Sequence, residues 1–305
     1  MIILESLDKI SDQRSPFVLT IGNFDGVHLG HQKLLTEVKT NEGLKSLVVT
    51  FEPHPVEYFD RNKTFKKLFP ASYQNEHIGS LGIDYLLRMK FDQHLATMSY
   101  DEFLNFFVQH LSIKKIVIGH DLKIGKDRKG DRAAIRSWCQ KSGIQFQIVE
   151  PLEVKGQVIS STFIKTLIDR NRFEELPKFL GRLYSTNGTV VHGDKRGRLI
   201  GFPTANLTYS GSLYLPQFGV YQTRTSWRDR RCDSITNIGK TPTFKSDELV
   251  KIETHLFDFN EDIYGEKITV EFLKFIRSEQ KFSGIEEIKR QIALDVASLG
   301  RDKKI

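Results

Sequence analysis

The chain has 305 residues, of which 39% are hydrophobic and 27% are charged, a composition that suits one large or two medium-sized globular domains. No apolar run approaches the roughly 20 residues of a membrane-spanning helix, and the start lacks the basic front of a secretory signal. We therefore expect a cytoplasmic protein without a membrane partner. Its formal net charge of +7 favours phosphate-bearing partners, either nucleic acid or small anionic substrates. Cys139 and Cys232 fit no metal or redox spacing.

The first half of the chain alternates between apolar strands and helices. The apolar runs predict strands at residues 17–21, 47–51, 85–89, 116–118 and 146–149. Composition and helical spacing predict helices at residues 30–40, 100–111 and 132–141. This alternation indicates an α/β domain with a doubly wound parallel sheet. In such a sheet, ligands bind beyond the carboxyl ends of the strands.

The pattern changes after about Gly181, where short strands follow one another without helices. We predict these strands at residues 189–191, 220–223, 252–259 and 268–272. They indicate a compact antiparallel sheet or a small β-barrel. A helix at residues 285–299, with Ser283 in its N-cap region, closes the chain. The sequence thus predicts two domains, residues 1–180 and 181–305.

One motif follows the first predicted strand and opens the first helix: residues 22–31 read Gly-Asn-Phe-Asp-Gly-Val-His-Leu-Gly-His. Its glycines let the backbone approach a ligand, and a helix N-terminus suits phosphate. His28 and His31 are three residues apart, so they share a face and can donate to phosphate oxygens. Two alternatives are an ordinary turn with capping histidines and a zinc site whose third ligand is His54 or an unidentified acid.

A second motif lies at residues 188–206. Three glycines there permit close backbone approach to phosphate: Gly193, Gly197 and Gly201. Positive charge comes from Lys195, Arg196 and Arg198. In an extended chain Thr204 and Asn206 point to the same side, and their hydroxyl and amide oxygens suit Mg²⁺. The alternative is a polar turn with a proline bend.

One acid falls within the predicted strand at residues 252–259. Glu253 shares a face there with His255, Phe257 and Phe259. An acid beside aromatic rings could have a raised pKa and serve as a general base. The alternative is a glutamate that faces solvent.

These motifs resemble the bacterial bifunctional riboflavin kinase/FMN adenylyltransferase family, also called FAD synthetases. In the first half, residues 22–31 resemble the family's nucleotide-binding motif within the nucleotidyltransferase superfamily. Three more segments resemble it: residues 50–55, residues 119–131 with their glycines, and residues 159–162. In the second half, residues 201–206 resemble the signature of riboflavin kinases. So do Asn237 with its neighbours, residues 242–244, residues 252–259 and residues 275–282.

The resemblance implies a fold and two reactions in series. The fold is a Rossmann-like nucleotidyltransferase domain followed by a small antiparallel β-barrel with a C-terminal helix. ATP would phosphorylate riboflavin to FMN, and a second ATP would adenylylate FMN to FAD with release of pyrophosphate. The expected partners are these small molecules and Mg²⁺, and not nucleic acid; a homo-oligomer is left open.

The resemblance also implies roles for individual residues. Catalysis falls to Glu253, His28 and His31, and magnesium binding to Thr204 and Asn206. Ser160 and Ser161, which are N-cap candidates for a helix through Asp169, would meet ATP phosphates. Binding of substrates is expected at Gly22, Asn23, Phe24, Asp25, His54, Asp121, Ser160, Ser161, Thr162, Lys165, Gly193, Lys195, Gly197, Arg198, Gly201, Pro203, Asn237 and Arg277.

The chain departs from the family pattern after Thr162. The family usually continues Ser-Thr-Arg-Ile-Arg, whereas Phe163 removes one cation here and Lys165 replaces an arginine fork with a point charge. One alternative is therefore a riboflavin kinase with a weakened adenylyltransferase module. The others are a nucleic-acid-binding protein, suggested by the net charge, and a regulator that binds flavin without turnover.

Overall fold

The computed structural model describes residues 1–60, 65–193, 197, 201–209, 211–241 and 249–299. The chain divides into two compact units, Met1–Ser161 and Thr162–Ile305. This division falls earlier in the chain than Gly181, because the segment before Gly181 packs with the second unit: Phe173, for example, packs on Tyr184 and Tyr221. The functional boundary at residues 180 and 181 stays a prediction. In the described residues, no helix combines the length and apolar character needed to cross a bilayer.

The first unit is built on a six-stranded parallel sheet, as the alternating pattern predicts. The strands are β1 (Ile2–Leu4), β2 (Pro16–Ile21), β3 (Lys45–Glu52), β4 (Tyr85–Lys90), β5 (Ser112–Gly119) and β6 (Gln145–Val149). They are arranged in the order β1-β4-β3-β2-β5-β6. The central strands are buried on both faces, which explains why they appear in the sequence as unbroken apolar runs.

Helices cover both faces of this sheet. They are α1 (Leu29–Lys39), α2 (Pro55–Phe59), α3 (Ala71–Ser80), α4 (Gln93–Thr97), α5 (Tyr100–His110) and α6 (Arg132–Lys141). A small hairpin of β7 (Glu153–Val154) and β8 (Gln157–Val158) follows. The longer predicted helices are confirmed, and their caps explain their limits. Ser99 and Glu102 form a capping box on α5, and Asp131 caps α6.

The second unit is built on a closed antiparallel barrel of six strands. Most of helix α7 (Ser161–Asp169) and all of α8 (Pro177–Leu180) precede it. The strands are β9 (Tyr184–Val191), β10 (Ala205–Leu207), β11 (Gly219–Trp227), β12 (Arg230–Thr241), β13 (Leu249–Leu256) and β14 (Lys267–Ser278). Around the barrel they are ordered β10-β13-β12-β11-β14-β9. The predicted barrel is therefore confirmed.

Hydroxyl groups line part of the barrel interior. Thr223 bonds both Ser234 and Thr236 at 2.8 Å. Thr236 bonds Thr254 at 2.8 Å, and Thr225 bonds Ser234 at 2.7 Å. All five side chains have zero exposure. Buried hydroxyl groups can take the place of apolar side chains here because each of them has a hydrogen-bond partner within the network.

Helix α9 (Ile285–Ala297) packs against the outside of the barrel. Its Val296 belongs to an apolar cluster with Val220, Ile235 and Phe257 from the strands and their ends. The predicted cap differs, because Gly284 occupies the N-cap position. Ser283 instead donates its amide and its hydroxyl to the carboxylate of Glu287, each at 2.7 Å.

Candidate active sites

The first candidate site lies at the carboxyl end of β2, where the order of the sheet changes direction. Strand β3 lies on one side of β2, and β5, which comes later in the chain, lies on the other. Such a switch point leaves a crevice in which α/β proteins bind ligands. The segment 22–31 follows β2, His54 follows β3, and Asp121 follows β5. The structure thus brings three separately predicted segments to one edge of the sheet.

The segment after β2 is a strained turn that leads into α1. Residues Asp25–Val27 form one 3-10 turn, and Phe24 before it has a left-handed φ of 51°. Val27 also has a positive φ, of 37°, which is costly for a β-branched residue. Gly26 takes a φ of 80°, which only glycine adopts without cost. Strained backbone persists where surrounding groups hold it, and it concentrates at functional sites.

Two distant segments hold this turn at Asp25. Asp25 is 9% exposed as a residue, and its carboxylate accepts a hydrogen bond from the amide of Leu68 at 2.8 Å. The Asp25 carbonyl accepts one from the hydroxyl of Ser161 at 2.7 Å. Ser161 is the first residue of α7, and Ser160 precedes it. The helix start predicted to bind ATP phosphates therefore lies against the predicted nucleotide-binding turn.

His28 and His31 share one face at the start of α1, as their spacing predicts. Their rings stack with centroids 3.6 Å apart and planes 15° apart. His28 is also the N-cap: its Nδ1 accepts a hydrogen bond from the amide of His31 at 3.2 Å. That acceptor role places the proton of a neutral His28 on Nε2. His28 therefore caps the helix through one nitrogen and carries its donor on the other.

His54 and Asp121, both predicted to bind substrate, have different surroundings. His54 caps α2 by accepting from the amide of Val56 at 3.2 Å, and its ring stacks on Phe65 at 3.6 Å. The Asp121 side chain is 83% exposed. The fold fixes His54, whereas Asp121 faces solvent, and their contacts with FMN stay predictions. In the ranges that the structure describes, no three His, Cys, Asp or Glu side chains form a metal-binding group, so the zinc alternative gains no support there.

Thr162 and Lys165 fall in the second unit. The Nζ of Lys165 lies 5.4 Å from the ring centroid of Tyr214. The ring of Phe163 packs edge-on against Phe179 at 5.0 Å. The two side chains that depart from the family pattern thus contact aromatic rings. Contact of Thr162 and Lys165 with ATP phosphates stays a prediction.

The second candidate site is a row of side chains across adjacent barrel strands. Asn206 on β10 pairs with Glu253 on β13, and Glu253 pairs with Asn237 on β12. Asn237 pairs with Val220 on β11, which pairs with Arg277 on β14. Directly paired residues on antiparallel strands have side chains on one face, with Cβ atoms about 4.5–5.5 Å apart. Asn206, Glu253 and Asn237, which were predicted from separate motifs, are therefore direct neighbours, and Arg277 lies on the same face beyond Val220.

Burial alternates from Thr204 through β10, as the predicted common direction of Thr204 and Asn206 requires. Both are half-buried, whereas Ala205 and Leu207 between and after them are buried. Gly193 lies directly against Asn206, since a Cβ there would overlap its amide group. At Gly197 a Cβ would overlap the carbonyl oxygen of Phe202 and would lie 3.3 Å from the hydroxyl of Thr204. The two glycines form a cradle around the two proposed magnesium ligands.

A buried histidine holds the segment that carries these ligands. The Nδ1 of His255, a residue that is 6% exposed, lies 2.7 Å from the carbonyl oxygen of Pro203. A carbonyl only accepts, so Nδ1 carries the proton and donates. The ring is fixed by edge-on contacts with Phe202 and Phe257, both at 5.5 Å. Gly201 takes a φ of 82°, which suits glycine at the start of this segment.

The guanidinium of Arg277 makes an ion pair with another side chain of the second unit. Its guanidinium donates two hydrogen bonds from Nε and one from Nη2 to the carboxylate of Asp295, at 2.9–3.0 Å. It also lies over the ring of Phe282 at 5.7 Å. Arg277 thus ties β14 to α9 beside the row, and its contact with substrate stays a prediction.

The strand that carries Glu253 is shorter than predicted. Strand β13 ends at Leu256, and Asp258 has a left-handed φ of 54°. Alternation therefore does not extend to Phe259, whose ring packs on Trp227 at 4.9 Å. The shared face of Glu253 and His255 lies within the strand.

Comparison with known proteins agrees with the two-unit fold. Residues 10–163 match the FAD synthetase family, and residues 180–301 match the riboflavin kinase family. A bifunctional riboflavin kinase/FMN adenylyltransferase from Bacillus subtilis is 38% identical over 94% of this chain and 92% of its own. A protein of that name from Escherichia coli K12 is 34% identical over 91% of this chain and 90% of its own.

The chain belongs to the bifunctional riboflavin kinase/FMN adenylyltransferase family. The first site lies in its FAD synthetase domain and the second in its riboflavin kinase domain. A crystal structure described as a macrolide-efflux protein from Streptococcus pneumoniae is also similar, with a TM-score of 0.88 and 29% identity over 99% of both chains.

Some predicted residues of this bifunctional enzyme lie outside the described residues: Lys195, Arg196, Arg198 and residues 242–244. Others are missed by sequence reasoning. Asp295 and Gln74, which donates to the first turn, are polar residues within helices that carry no motif. Residue alternation placed His255 beside Glu253, but its bond to Pro203 depends on a chain segment about fifty residues away.

Proposed function

We propose that each reaction of the bifunctional enzyme takes place at one of the two sites. The row at Asn206, Glu253 and Asn237 transfers the γ-phosphate of ATP to riboflavin. The turn and helix start at residues 22–31 transfer AMP from ATP to FMN. The observation that carries this proposal is the cross-strand register, because it places a carboxylate directly beside an amide ligand next to a glycine cradle.

In the kinase reaction, Glu253 acts as the general base. It takes the proton of the 5′-hydroxyl of riboflavin as that oxygen attacks the γ-phosphorus, and ADP leaves. Asn237, its neighbour in the row, orients the flavin chain or the carboxylate by hydrogen bonding. His255 keeps the Pro203–Asn206 segment in place through the Pro203 carbonyl.

Thr204 and Asn206 fit a magnesium ion. Their hydroxyl and amide oxygens are hard donors on one half-buried face, and the glycine cradle leaves room for phosphate beside them. When bound, Mg²⁺ neutralises charge on the phosphates of ATP. The two side chains orient the nucleotide toward Glu253.

In the adenylyl transfer, a phosphate oxygen of FMN attacks the α-phosphorus of ATP and pyrophosphate leaves. His28 and His31 donate hydrogen bonds to the charge that develops on the α-phosphate. The N-terminus of α1 adds its partial positive charge. Ser160 and the backbone amides at the start of α7 contribute further donors, while the hydroxyl of Ser161 holds the Asp25 carbonyl.

The substrates of this proposal are small molecules, and it includes no nucleic-acid or membrane partner. The macrolide-efflux description of the streptococcal structure is not carried over, because both domains of this chain match families of flavin enzymes. The cytoplasm is the proposed location. Burial raises the pKa of the Cys139 thiol to about 11, which makes it an inert structural thiol.

Two variants test the assignment. Glu253→Gln removes the base, so FMN formation should fall by about 10²- to 10⁴-fold while FAD synthesis from supplied FMN continues. His28→Asn keeps an N-cap acceptor but loses the ring donor, so FAD synthesis should fall by about 10²- to 10³-fold while the kinase continues. Product analysis with riboflavin or FMN as substrate measures both.

Each activity serves as the folding control for the other. Loss of both activities in a variant that stays folded would contradict the two-site assignment. Wild-type protein that makes FMN but no FAD would instead support a kinase with a weakened first module.

A further inference from the structure

One glutamine side chain holds two carbonyls of the strained turn. The amide nitrogen of Gln74, on α3, donates to the carbonyl of Asn23 at 2.8 Å and to that of Phe24 at 3.0 Å. These carbonyls belong to the residue before the left-handed position and to the left-handed residue itself. Both N–H groups of one amide are thus used on two successive peptide groups.

The orientation of this amide is set by a buried arginine. Arg88 Nη2, on β4, donates to Gln74 Oε1 at 2.9 Å. A guanidinium only donates, so this bond fixes which end of the Gln74 amide is oxygen and which is nitrogen. The Arg88 side chain is 14% exposed, and its Nη1 lies 3.7 Å from the carboxylate of Glu52 at the end of β3. Lys67 binds the same carboxylate at 2.7 Å.

The contacts form one relay from the sheet to the turn: Glu52, Arg88, Gln74, then the two carbonyls. The C=O and the N–H of a trans peptide point in opposite directions. Holding the carbonyls of Asn23 and Phe24 toward α3 therefore fixes the direction of the N–H groups of Phe24 and Asp25. Those groups belong to the turn that leads to His28, so a shift of the turn would displace the start of α1.

We propose that Gln74 is a positioning residue for adenylyl transfer, which holds the left-handed turn in its working conformation, while Arg88 and Glu52 orient its amide. This rests on the assignment of FAD synthesis to the first site. Gln74 touches no reacting atom in this scheme. Loss of the Gln74 amide changes the position of the turn and of the start of α1 relative to bound ATP.

The test is an amide-to-carboxylate exchange. Gln74→Glu keeps the shape of the side chain and the acceptor for Arg88 but removes both donors to the turn. Asn75→Asp is the matched control, because Asn75 is also an acceptor of Arg88 Nη2, on the same helix. It makes the same change of charge beside the same guanidinium, and Asn75 Oδ1 accepts from Arg88 and not from the turn.

We expect Gln74→Glu to lower kcat/KM for FAD synthesis by about 10- to 100-fold, with a raised KM for ATP, as a misplaced site would. Kinase activity and thermal midpoint should stay near wild type. Asn75→Asp should change both activities by no more than about twofold. Wild-type protein is measured in parallel with FMN and ATP. If the wild type makes no FAD, the proposed function of the first site is wrong. If only the variants behave otherwise than expected, the relay is wrong.

Three results would overturn the proposal. The first is full activity of Gln74→Glu in FAD synthesis, and the second is an equal loss of activity in Asn75→Asp. A third is a fall in kcat alone, with unchanged KM and a lowered thermal midpoint, which is the signature of a partly unfolded population. Arg88→Met, which frees the amide to rotate, should give a smaller loss of the same kind, and full activity would remove Arg88 and Glu52 from the relay.

Discussion

At the scale of single residues, Gly193 shows how a backbone position determines a site. A Cβ at this position would overlap the amide of Asn206, which is one of two proposed magnesium ligands. Asn206 lies in a short strand whose backbone is paired with Glu253 on one side and Val191 on the other, so a Cβ at Gly193 would turn its side-chain amide away from this position. The glycine is therefore required for close approach.

Gly193→Ala should consequently impair the kinase alone. We expect kcat/KM for FMN formation to fall by about 10²-fold and the magnesium concentration for half-maximal rate to rise, because Asn206 is displaced. FAD synthesis from FMN should be unchanged. Gly211→Ala is the control, since a Cβ at Gly211 meets open space. An active Gly193→Ala variant with normal magnesium dependence would refute the cradle.

Local residue patterns predict side-chain direction but not the contacts that hold it. The alternation at Thr204 and Asn206 follows from the geometry of an extended chain, and burial in the structure alternates as it requires. The spacing of His28 and His31 likewise predicts their shared face. Gln74 and His255 could not be assigned in this way, because each acts on a carbonyl from a distant segment. Such contacts exist only after tertiary folding.

At the scale of elements, a reciprocal pair fixes the starts of β3 and β4. The amide and hydroxyl of Ser46 donate to the Asp84 carboxylate at 2.9 and 2.7 Å, and the Asp84 amide donates back to the hydroxyl at 2.8 Å. Burial raises the pKa of Asp84, but the bonds from Ser46 and the charge of Lys39 outweigh it, so the net shift is downward.

This downward shift predicts acid-sensitive stability. A carboxylate whose pKa is lower in the folded protein stabilises the fold above its unfolded pKa, of about 3.9, and loses that contribution as pH falls through the folded value. The free energy of unfolding should therefore fall less steeply between about pH 5 and pH 2 in Asp84→Asn than in wild type. Denaturant titrations over this range measure it. The exposed Asp229→Asn should keep the wild-type slope, and an unchanged slope in Asp84→Asn would exclude the pair.

The elements that sequence predicts well have strong local patterns. Strands β2 and β3 are unbroken apolar runs, and α5 has its capping box and apolar spacing. Strand β1 has three residues, two of them exposed, and α3 buries only Ile78. Neither carries enough periodic signal, so both are defined by neighbouring structure. The end of β13 was misplaced because Asp258 adopts a left-handed turn without glycine.

At the scale of the whole molecule, the two activities should be separable in trans. Glu253→Gln and His28→Asn proteins should each fail to convert riboflavin to FAD. Mixed in equal amounts, they should restore FAD formation, because FMN made by the second protein can bind the first. Chromatography of the flavins over time measures this. No recovery on mixing, with each retained activity intact, would show that FMN does not pass through solution.

The fold class followed from sequence because alternation of strands and helices leaves few arrangements for a sheet. The order of the barrel strands could not be predicted from the sequence, because it depends on antiparallel pairing between residues far apart in the chain, such as those of β9 and β14. The net charge of +7 could not separate nucleic acid from small phosphates as partners, whereas the family match identifies small-molecule substrates.

The position of β14 has a consequence for protein synthesis. It lies between β11 and β9, so the barrel cannot close until the chain through Ser278 has left the ribosome. All the strands of the parallel sheet emerge well before that point, and nascent domains fold in this order. Until then β9 and β11 each present an open edge, which is a site of aggregation. The nascent kinase half, and not the adenylyltransferase half, is therefore where chaperones should be needed.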